Sequence, residues 1–208
     1  DVFIANSTET QKRIKKYYGR SSTVIHPPVE TNRFTPARKR GDHYVTIGRQ
    51  LPYKRYDLAV KAATRLNKKL IVFGNGPAHE QLVKLAGPTV EFRTDRFGDA
   101  SDAEYEKAIT TARGFIYPAE EDFGIVSVEA LAAGAPVIGL ARGGTTDIVT
   151  SPDIGTLFHH QTVDDVVKAV EIAEQTSFHP SKLARTAKRF DKGLFLTKIK
   201  KVVRDSIS

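Results

Sequence analysis

Leu70-Ile71-Val72-Phe73-Gly74-Asn75-Gly76-Pro77 is a run of four apolar residues followed by a glycine-rich turn. Polar and apolar side chains do not alternate within the run, which is typical of a strand buried on both faces of a parallel sheet. An amphipathic helix is predicted directly after the turn, over 78–85. Strand, turn and helix in this order are the repeating unit of an α/β fold.

The same unit recurs along the 208 residues of the chain. The sequence predicts strands over 2–5, 23–26, 44–48, 70–74, 90–93, 114–117, 136–140 and 156–158. It predicts a helix beginning after the capping residues Asn6 and Ser7, and further helices over 55–66, 78–85, 102–112, 124–133, 163–174, 180–189 and 193–206. Because strands and helices alternate, we expect an α/β domain over 1–208 with a parallel sheet and helices on both faces.

The composition excludes several classes of function. The chain has no cysteine, which rules out disulfides, thiolate metal sites and a cysteine nucleophile. No apolar run approaches the length of a membrane span, and the first residues do not resemble a signal peptide. A cytoplasmic location is therefore expected. Since the chain contains no methionine, even at position 1, we expect it to be a piece of a longer protein.

Basic residues give the chain a formal charge of +8 and are concentrated near its two ends. The clusters consist of Lys12, Arg13, Lys15, Lys16, Arg20, Arg38, Lys39 and Arg40, and of Lys182, Arg185, Lys188, Arg189, Lys192, Lys198, Lys200, Lys201 and Arg204. A basic surface attracts phosphates, nucleic acid or anionic lipid. The alternative is a set of solvated helix faces.

Loops that follow strands are where a parallel α/β sheet binds its ligands. After the predicted strand that ends at Gly48, Arg49 and Lys54 bracket a short loop that opens a helix. Two cations at a helix N-terminus form an anion site of the right size for a diphosphate; the alternative is two solvated surface cations. The turn with Gly74 and Gly76 allows a ligand to approach the backbone, or is a plain tight turn.

The loop after the strand at 114–117 is acidic. Glu121 precedes the predicted helix and Glu129 lies inside it, so the backbone N–H groups of the first turn, which suit phosphate, fall between them. Glu129 is surrounded by apolar residues and needs a partner, either the hydroxyls of a ribose or an ion pair with Arg142. Helical rise places the two carboxylates roughly 12 Å apart, beyond the ~5–9.5 Å of glycosidase pairs, which disfavours hydrolysis.

A fourth loop contains Gly143 and Gly144, which permit close backbone approach or form a simple turn. Together, the four loops resemble the signature of family-four (group 1) glycosyltransferases in order and spacing over nearly the whole chain. The matching motifs are Gly48-Arg49-Gln50-Leu51-Pro52-Tyr53-Lys54-Arg55, Gly74-Asn75-Gly76-Pro77, Glu121-Asp122-Phe123-Gly124-Ile125-Val126-Ser127-Val128-Glu129-Ala130 and Gly143-Gly144.

The resemblance implies one Rossmann-like half of a GT-B enzyme, the C-terminal donor-binding domain, with 190–208 as a helix that packs toward a missing N-terminal acceptor domain. It implies retaining transfer of a hexose from a nucleoside diphosphate sugar to a saccharide or lipid-linked acceptor, with no cofactor and no obligatory metal. By itself the fragment is expected to bind donor but to transfer almost nothing.

The resemblance also assigns roles to residues by position. Arg49 and Lys54 would neutralise the diphosphate, helped by the helix N-terminus at Gly124, Ile125 and Val126. Glu121, with the backbone amides of Phe123 and Gly124, would face the donor sugar, and Glu129 would hold the ribose. Gly48, Gly74 and Gly76 would border the donor, and Arg96 and Phe97 are candidates for the base pocket.

One residue departs from the family's pattern: Asp122 stands where glycine is frequent. The resulting Glu-Glu-Asp-Phe-Gly variant resembles mannosyltransferases of surface polysaccharide assembly, which favours GDP-mannose over a UDP- or ADP-hexose.

Three other functions remain open: a sugar-nucleotide epimerase of the same fold, a non-catalytic nucleotide-binding module, and a nucleic-acid-binding module. Nucleic acid is not expected as a partner, because the basic residues lack interleaved aromatics and a helix-turn-helix pattern. The basic ends are instead expected to meet anionic lipid at the inner face of the membrane.

Overall fold

The computed structural model describes residues 2–93 and 100–207. Within them the strands are β1 (Ile4–Ala5), β2 (Thr23–Val24), β3 (His43–Ile47), β4 (Lys69–Phe73), β5 (Val90–Arg93), β6 (Gly114–Tyr117), β7 (Val137–Leu140) and β8 (Gly155–Phe158). The helices are α1 (Thr8–Tyr18), α2 (Tyr56–Arg65), α3 (His79–Leu85), α4 (Ala100–Thr111), α5 (Ile125–Ala132), α6 (Thr145–Ile148), α7 (Val163–Gln175), α8 (Pro180–Ala187) and α9 (Lys192–Ile207). No described helix is both long and apolar enough to cross a bilayer.

Six strands form a parallel sheet in the order β5-β4-β3-β6-β7-β8. Consecutive residues of its central strands pack on opposite faces. Leu70 and Val72 lie in a buried cluster with α2 and α7, whereas Ile71 and Phe73 lie in a second cluster with α4 and α5. The predicted parallel sheet with helices on both faces is confirmed, and burial on both faces explains why the run at 70–73 does not alternate.

The first two strands do not join this sheet. β1 and β2 pair only with each other, as a separate parallel sheet of two residues per strand connected by α1. This corrects the expectation of one sheet. Apolar runs at 2–5 and 23–26 identify strands but carry no information about which strand is the neighbour. We call residues 4–27 the N-terminal unit.

Several local predictions are confirmed by the helix ends. The Ser7 hydroxyl caps α1 by accepting from the N–H of Thr10 at 3.1 Å, and Gly134 follows α5 with φ 74°. The predicted helix over 180–189 ends earlier, at Ala187, and continues as a 3₁₀ turn to Phe190. The short helix α6 was not predicted, since its four residues are too few to show a helical period.

Candidate functional site

A cavity of about 530 Å³ lies beyond the carboxyl ends of β3 and β6. Its walls come from the loops after these two strands, from the first turn of α5 and from the N-terminal unit. The lining residues are Asn6, Pro27, Ile47, Gly48, Tyr53, Lys54, Tyr117, Glu120, Glu121, Asp122, Phe123, Gly124, Ile125 and Val126. All four chemically unusual loops were predicted to lie at this end of the sheet, where ligands bind, and two of them line the cavity.

Lys54 brings a cation into the cavity. It ends a 3₁₀ turn over Pro52–Lys54, in which proline occupies the first position, and Arg55 then takes the left-handed conformation before α2 begins. The Lys54 side chain is only 15% exposed, and its Nζ lies 2.7 Å from Oε1 of Glu121. An ammonium and a carboxylate therefore meet on the cavity wall, from loops that are far apart in sequence.

Two tyrosines hold the same carboxylate. The Tyr117 hydroxyl donates to Oε2 of Glu121, and the Tyr53 hydroxyl lies 3.4 Å from Oε1. Burial of the ring, together with the nearby Glu121 charge, raises the pKa of Tyr117, so this phenol stays a hydrogen-bond donor. Neither tyrosine was predicted as a site residue. The available signal was that Tyr117 ends its strand and Tyr53 lies between the two loop cations.

The glycine turns were predicted to let a ligand approach the backbone. In the structure, the backbone of a neighbouring loop lies close to them instead. The N–H of Gly144 donates to the carbonyl of Glu121 at 2.9 Å, and a Cβ at Gly144 would lie 2.6 Å from the Asp122 carbonyl. In the same way, a Cβ at Gly76 would lie 2.8 Å from the backbone nitrogen of Gln50. Gly144 and Gly76 thus allow their own loops to pack directly against the two loops that line the cavity.

The amino end of α5 faces the cavity through Gly124, Ile125 and Val126. Gly124 precedes the helix with φ 91°, a left-handed conformation that favours glycine, and the helix has no side-chain cap. The partial positive charge of this helix end adds to that of Lys54. Both features suit a phosphate group.

Glu129 lies half-buried in α5 and accepts a hydrogen bond from the Tyr105 hydroxyl at 3.2 Å. Burial raises the pKa of Tyr105, and the Glu129 charge raises it further. Arg142, considered above as an ion-pair partner of Glu129, lies instead 4.0 Å from Glu120. The Tyr105 hydroxyl is therefore one of the groups that hold the Glu129 carboxylate.

Other predicted site residues lie away from the cavity. The described lining residues do not include Arg49, whose side chain is exposed at the surface of the loop. They also do not include Gly74 and Gly76, which lie behind the loop after β3. Arg96 and Phe97 fall outside the residues that the structure describes.

A curated relative, the D-inositol 3-phosphate glycosyltransferase of Mycobacterium tuberculosis, is 27% identical over 193 residues, which cover 82% of this chain and 40% of the relative. The same protein from Mycobacterium bovis matches equally well. The chain thus spans less than half of the length of the curated relatives that it matches.

Solved structures share the fold. HepE from Anabaena, in complex with UDP and glucose, superposes with a TM-score of 0.81 at 19% identity, covering 98% of this chain and 62% of HepE. The sucrose-phosphate synthase of Thermosynechococcus elongatus superposes with a TM-score of 0.79 at 20% identity, covering 98% of this chain and 58% of the synthase.

The family profile described as "Glycosyl transferases group 1" matches residues 28–190, which is well over half of the chain. This range includes β3, β6 and α5, the elements that surround the cavity. The chain therefore belongs to the group 1 glycosyltransferases.

Proposed function

We propose that this chain is the donor-binding half of a retaining glycosyltransferase and that its cavity holds a nucleoside diphosphate hexose. The observation that carries the proposal is the meeting of Lys54, Glu121 and the amino end of α5 around one cavity. A volume of about 530 Å³ falls within the range of small-molecule sites. The cation and the helix end suit the diphosphate, and the carboxylate suits the hydroxyls of a sugar.

The proposed roles of Lys54, Glu121 and the first turn of α5 follow this geometry, whereas those of Glu129 and Arg49, which are not among the lining residues, follow the family pattern. Lys54 and the amides of Gly124–Val126 bind the diphosphate and stabilise the negative charge that develops on it as it leaves. Glu121, with the backbone of Phe123, faces the sugar, and Glu129 accepts from the ribose hydroxyls. Arg49, being exposed, is proposed to reach the diphosphate from the cavity rim.

The identity of the donor is a separate proposal. Asp122 in the Glu-Glu-Asp-Phe-Gly sequence favours GDP-mannose. The solved structure of HepE with UDP and glucose supports a nucleotide and a hexose more generally. Arg96 and Phe97 are proposed to contact the base, with UDP- and ADP-hexoses as the competing donors.

The remainder of the protein is proposed to supply the acceptor site. Relatives extend well beyond the matched segment, as the 40% coverage shows. In α9 no residue is buried, and Leu194, Leu196 and Val203 are 45–51% exposed. We propose that this helix, in segment 190–208, packs against the N-terminal acceptor domain, and that the chain without that domain binds donor but does not transfer it.

Thermal-shift screening of the chain tests donor binding. GDP, UDP, ADP and their hexose forms are compared at equal concentration, since a ligand stabilises by mass action. We expect one base to stand out, with a shift of Tm that Lys54→Met abolishes. Lys61→Met is the matched control, because Lys61 is a half-exposed cation on α2 that pairs with Asp57 at 3.8 Å. Absence of binding by every nucleotide would refute the proposed function.

A peripheral location at the inner membrane face is also proposed. Lys198, Lys200 and Lys201 are exposed on α9, and Ile207 is exposed at the end of the same helix. Basic and apolar side chains on one helix suit a surface of anionic lipid. Co-sedimentation with vesicles of 30% phosphatidylglycerol, as a chosen composition, should show binding that salt weakens; binding that is independent of salt and of lipid charge contradicts this location.

A further inference from the structure

The N-terminal unit forms one wall of the cavity. Asn6 and Pro27 are lining residues, although they lie outside the six-stranded sheet whose loops form the other walls. The N-terminal unit also contacts the acidic loop directly, because Nη1 of Arg13 lies 2.6 Å from Oδ1 of Asp122. The two residues are 109 positions apart in sequence.

Arg13 is pre-oriented for this contact. Its Nε lies 3.6 Å from Glu9, one turn earlier on α1, so the guanidinium is held on the helix surface and extends from there to the loop. The Arg13 and Asp122 side chains are 43% and 54% exposed. A pair this exposed adds little to global stability. Its effect is instead expected on the local geometry of the loop.

The loop around Asp122 is held from several directions. Glu121, immediately before it, is bound by Lys54, and the Glu121 carbonyl accepts from Gly144 behind the loop. Phe123, immediately after it, stacks on His26 of the N-terminal unit with ring centroids 5.3 Å apart. Arg13 therefore acts on the same short segment whose neighbouring carboxylate faces the cavity.

We propose that Arg13 is a positioning residue for donor recognition, which holds Glu121 toward the sugar of the donor through its ion pair with Asp122. The proposal rests on the proposed function. Lys54, which is proposed to bind the diphosphate, lies on a different loop from Asp122, whereas Glu121 directly precedes Asp122 in the chain. Loss of the pair should thus affect the sugar part of the donor more than the diphosphate part.

The test compares the affinities of the chain for a nucleoside diphosphate and for its hexose form, using UDP with UDP-glucose and GDP with GDP-mannose. Arg13→Glu places a carboxylate beside Asp122. We expect this variant to bind the hexose form about three- to fivefold more weakly, an effect of the size of an exposed ion pair. The affinity for the free nucleoside diphosphate should change by less than about twofold.

The decisive control is a double variant in which the acidic and basic partners of the ion pair are exchanged. Arg13→Glu combined with Asp122→Arg should recover most of the lost affinity for the hexose form. Lys16→Glu makes the same change of charge on α1. Because the Lys16 ammonium lies over the ring of Tyr17, 5.2 Å from its centroid, this variant should leave the ratio of the two affinities unchanged. An equal loss for both ligands, or no recovery in the double variant, overturns the positioning role.

Failure of the proposed function gives a different result. If the unmodified chain binds neither these four ligands nor ADP and its hexose form, the donor site itself is refuted, and the role of Arg13 falls with it. If the unmodified chain binds them and Arg13→Glu binds them with the same affinities, the donor site stands and only the Arg13 proposal is wrong.

Discussion

Lys54 and Glu121 form a largely buried ion pair on the cavity wall, with Nζ 2.7 Å from Oε1. A diphosphate that binds Lys54 must share the ammonium with this carboxylate. In the proposed donor site, Glu121 would therefore oppose the binding of the diphosphate alone, while its remaining oxygen lone pairs would accept from sugar hydroxyls. Under the proposed function, this competition predicts that the chain prefers the complete sugar nucleotide to the free nucleoside diphosphate.

Glu121→Gln should reverse this preference. Removal of the negative charge releases Lys54, so we expect the affinity for free UDP or GDP to rise about three- to tenfold. The affinity for the hexose form should rise less or fall, because an amide accepts fewer hydrogen bonds than a carboxylate. Isothermal titration of both ligands measures the two affinities.

Tyr117→Phe serves as the comparison, since it removes a donor to Glu121 but leaves the charge in place. Tyr117→Phe should not tighten the binding of the free diphosphate. Weaker binding of the free diphosphate by Glu121→Gln would contradict the competition between the carboxylate and the ligand.

Gly144→Ala should displace the acidic loop. The backbone of Gly144 has φ −66°, which alanine tolerates, so the effect is purely steric: the new Cβ would lie 2.6 Å from the Asp122 carbonyl. We expect a loss of about 1–3 kcal/mol in the free energy of unfolding and weaker binding of the hexose form. Chemical denaturation and titration check the two effects.

Gly193→Ala is the matched control for this substitution. A Cβ there meets only the Asp191 side chain, at 3.5 Å, in the first turn of α9. Alanine is also the better helix former, so stability should stay equal or rise by about 0.5–1 kcal/mol. Equal behaviour of the two variants would show that the space behind the acidic loop is not restricted.

The sequence predicted the central sheet and the loops around the cavity well, because both depend on local patterns. The apolar run at 70–73 identifies a doubly buried strand from its composition alone, and Glu121 is conspicuous in a loop that opens a helix. The separate pairing of β1 with β2 was not predictable in this way. A two-residue strand has too little pattern to select its neighbour.

Contacts between distant segments account for most of what was missed at the site. In the sequence, Tyr117 is indistinguishable from the apolar residues of its strand. Only the folded chain shows that its hydroxyl donates a hydrogen bond to Glu121. Arg13 appears in the sequence as a member of a basic cluster, and its ion pair with Asp122 depends on where the N-terminal unit packs. Arg49, by contrast, was expected in the cavity and is exposed, because a loop position does not fix the direction of a long side chain.

Asp191 should make the stability of the chain sensitive to acid. Hydrogen bonds from the N–H of Gly193 and from the Thr31 hydroxyl lower its pKa from the ordinary value of 3.8. A carboxyl whose folded pKa is lowered contributes stability that is present above its unfolded pKa and is lost as pH falls through the folded value. We expect Asp191→Asn to have a lower Tm than the unmodified chain at pH 6, with the gap closing below about pH 3.8.

Asp205→Asn, at the exposed end of α9, is the control for the loss of a surface carboxyl, and its Tm at pH 6 should differ from that of the unmodified chain by less than about 2 °C. Thermal unfolding at pH 6 and pH 3 measures both variants. A gap for Asp191→Asn that is equal at the two pH values would mean that the hydrogen bonds do not favour the ionised carboxyl.

Arg40 should contribute strongly to the stability of the chain. Its guanidinium donates to the carbonyls of Thr110 and Ala112 at 2.9 and 3.1 Å, at the end of α4, and to those of Ala133 and Gly134, directly after α5. Burial lowers its pKa to about 10, which leaves it charged at neutral pH. One side chain thus satisfies the carboxyl ends of two helices, and α5 is the helix whose other end faces the cavity.

We expect Arg40→Ala to lower the free energy of unfolding by about 3 kcal/mol, since hydrogen bonds from a charged group are lost and buried carbonyls are left without a donor. This corresponds to a Tm lower by roughly 6–12 °C. Arg40→Lys keeps the charge but not the forked geometry, so it should recover only part of the loss. Arg38→Ala removes an exposed arginine from the same loop and should change Tm by less than about 2 °C; equal losses for Arg38→Ala and Arg40→Ala would contradict the capping role.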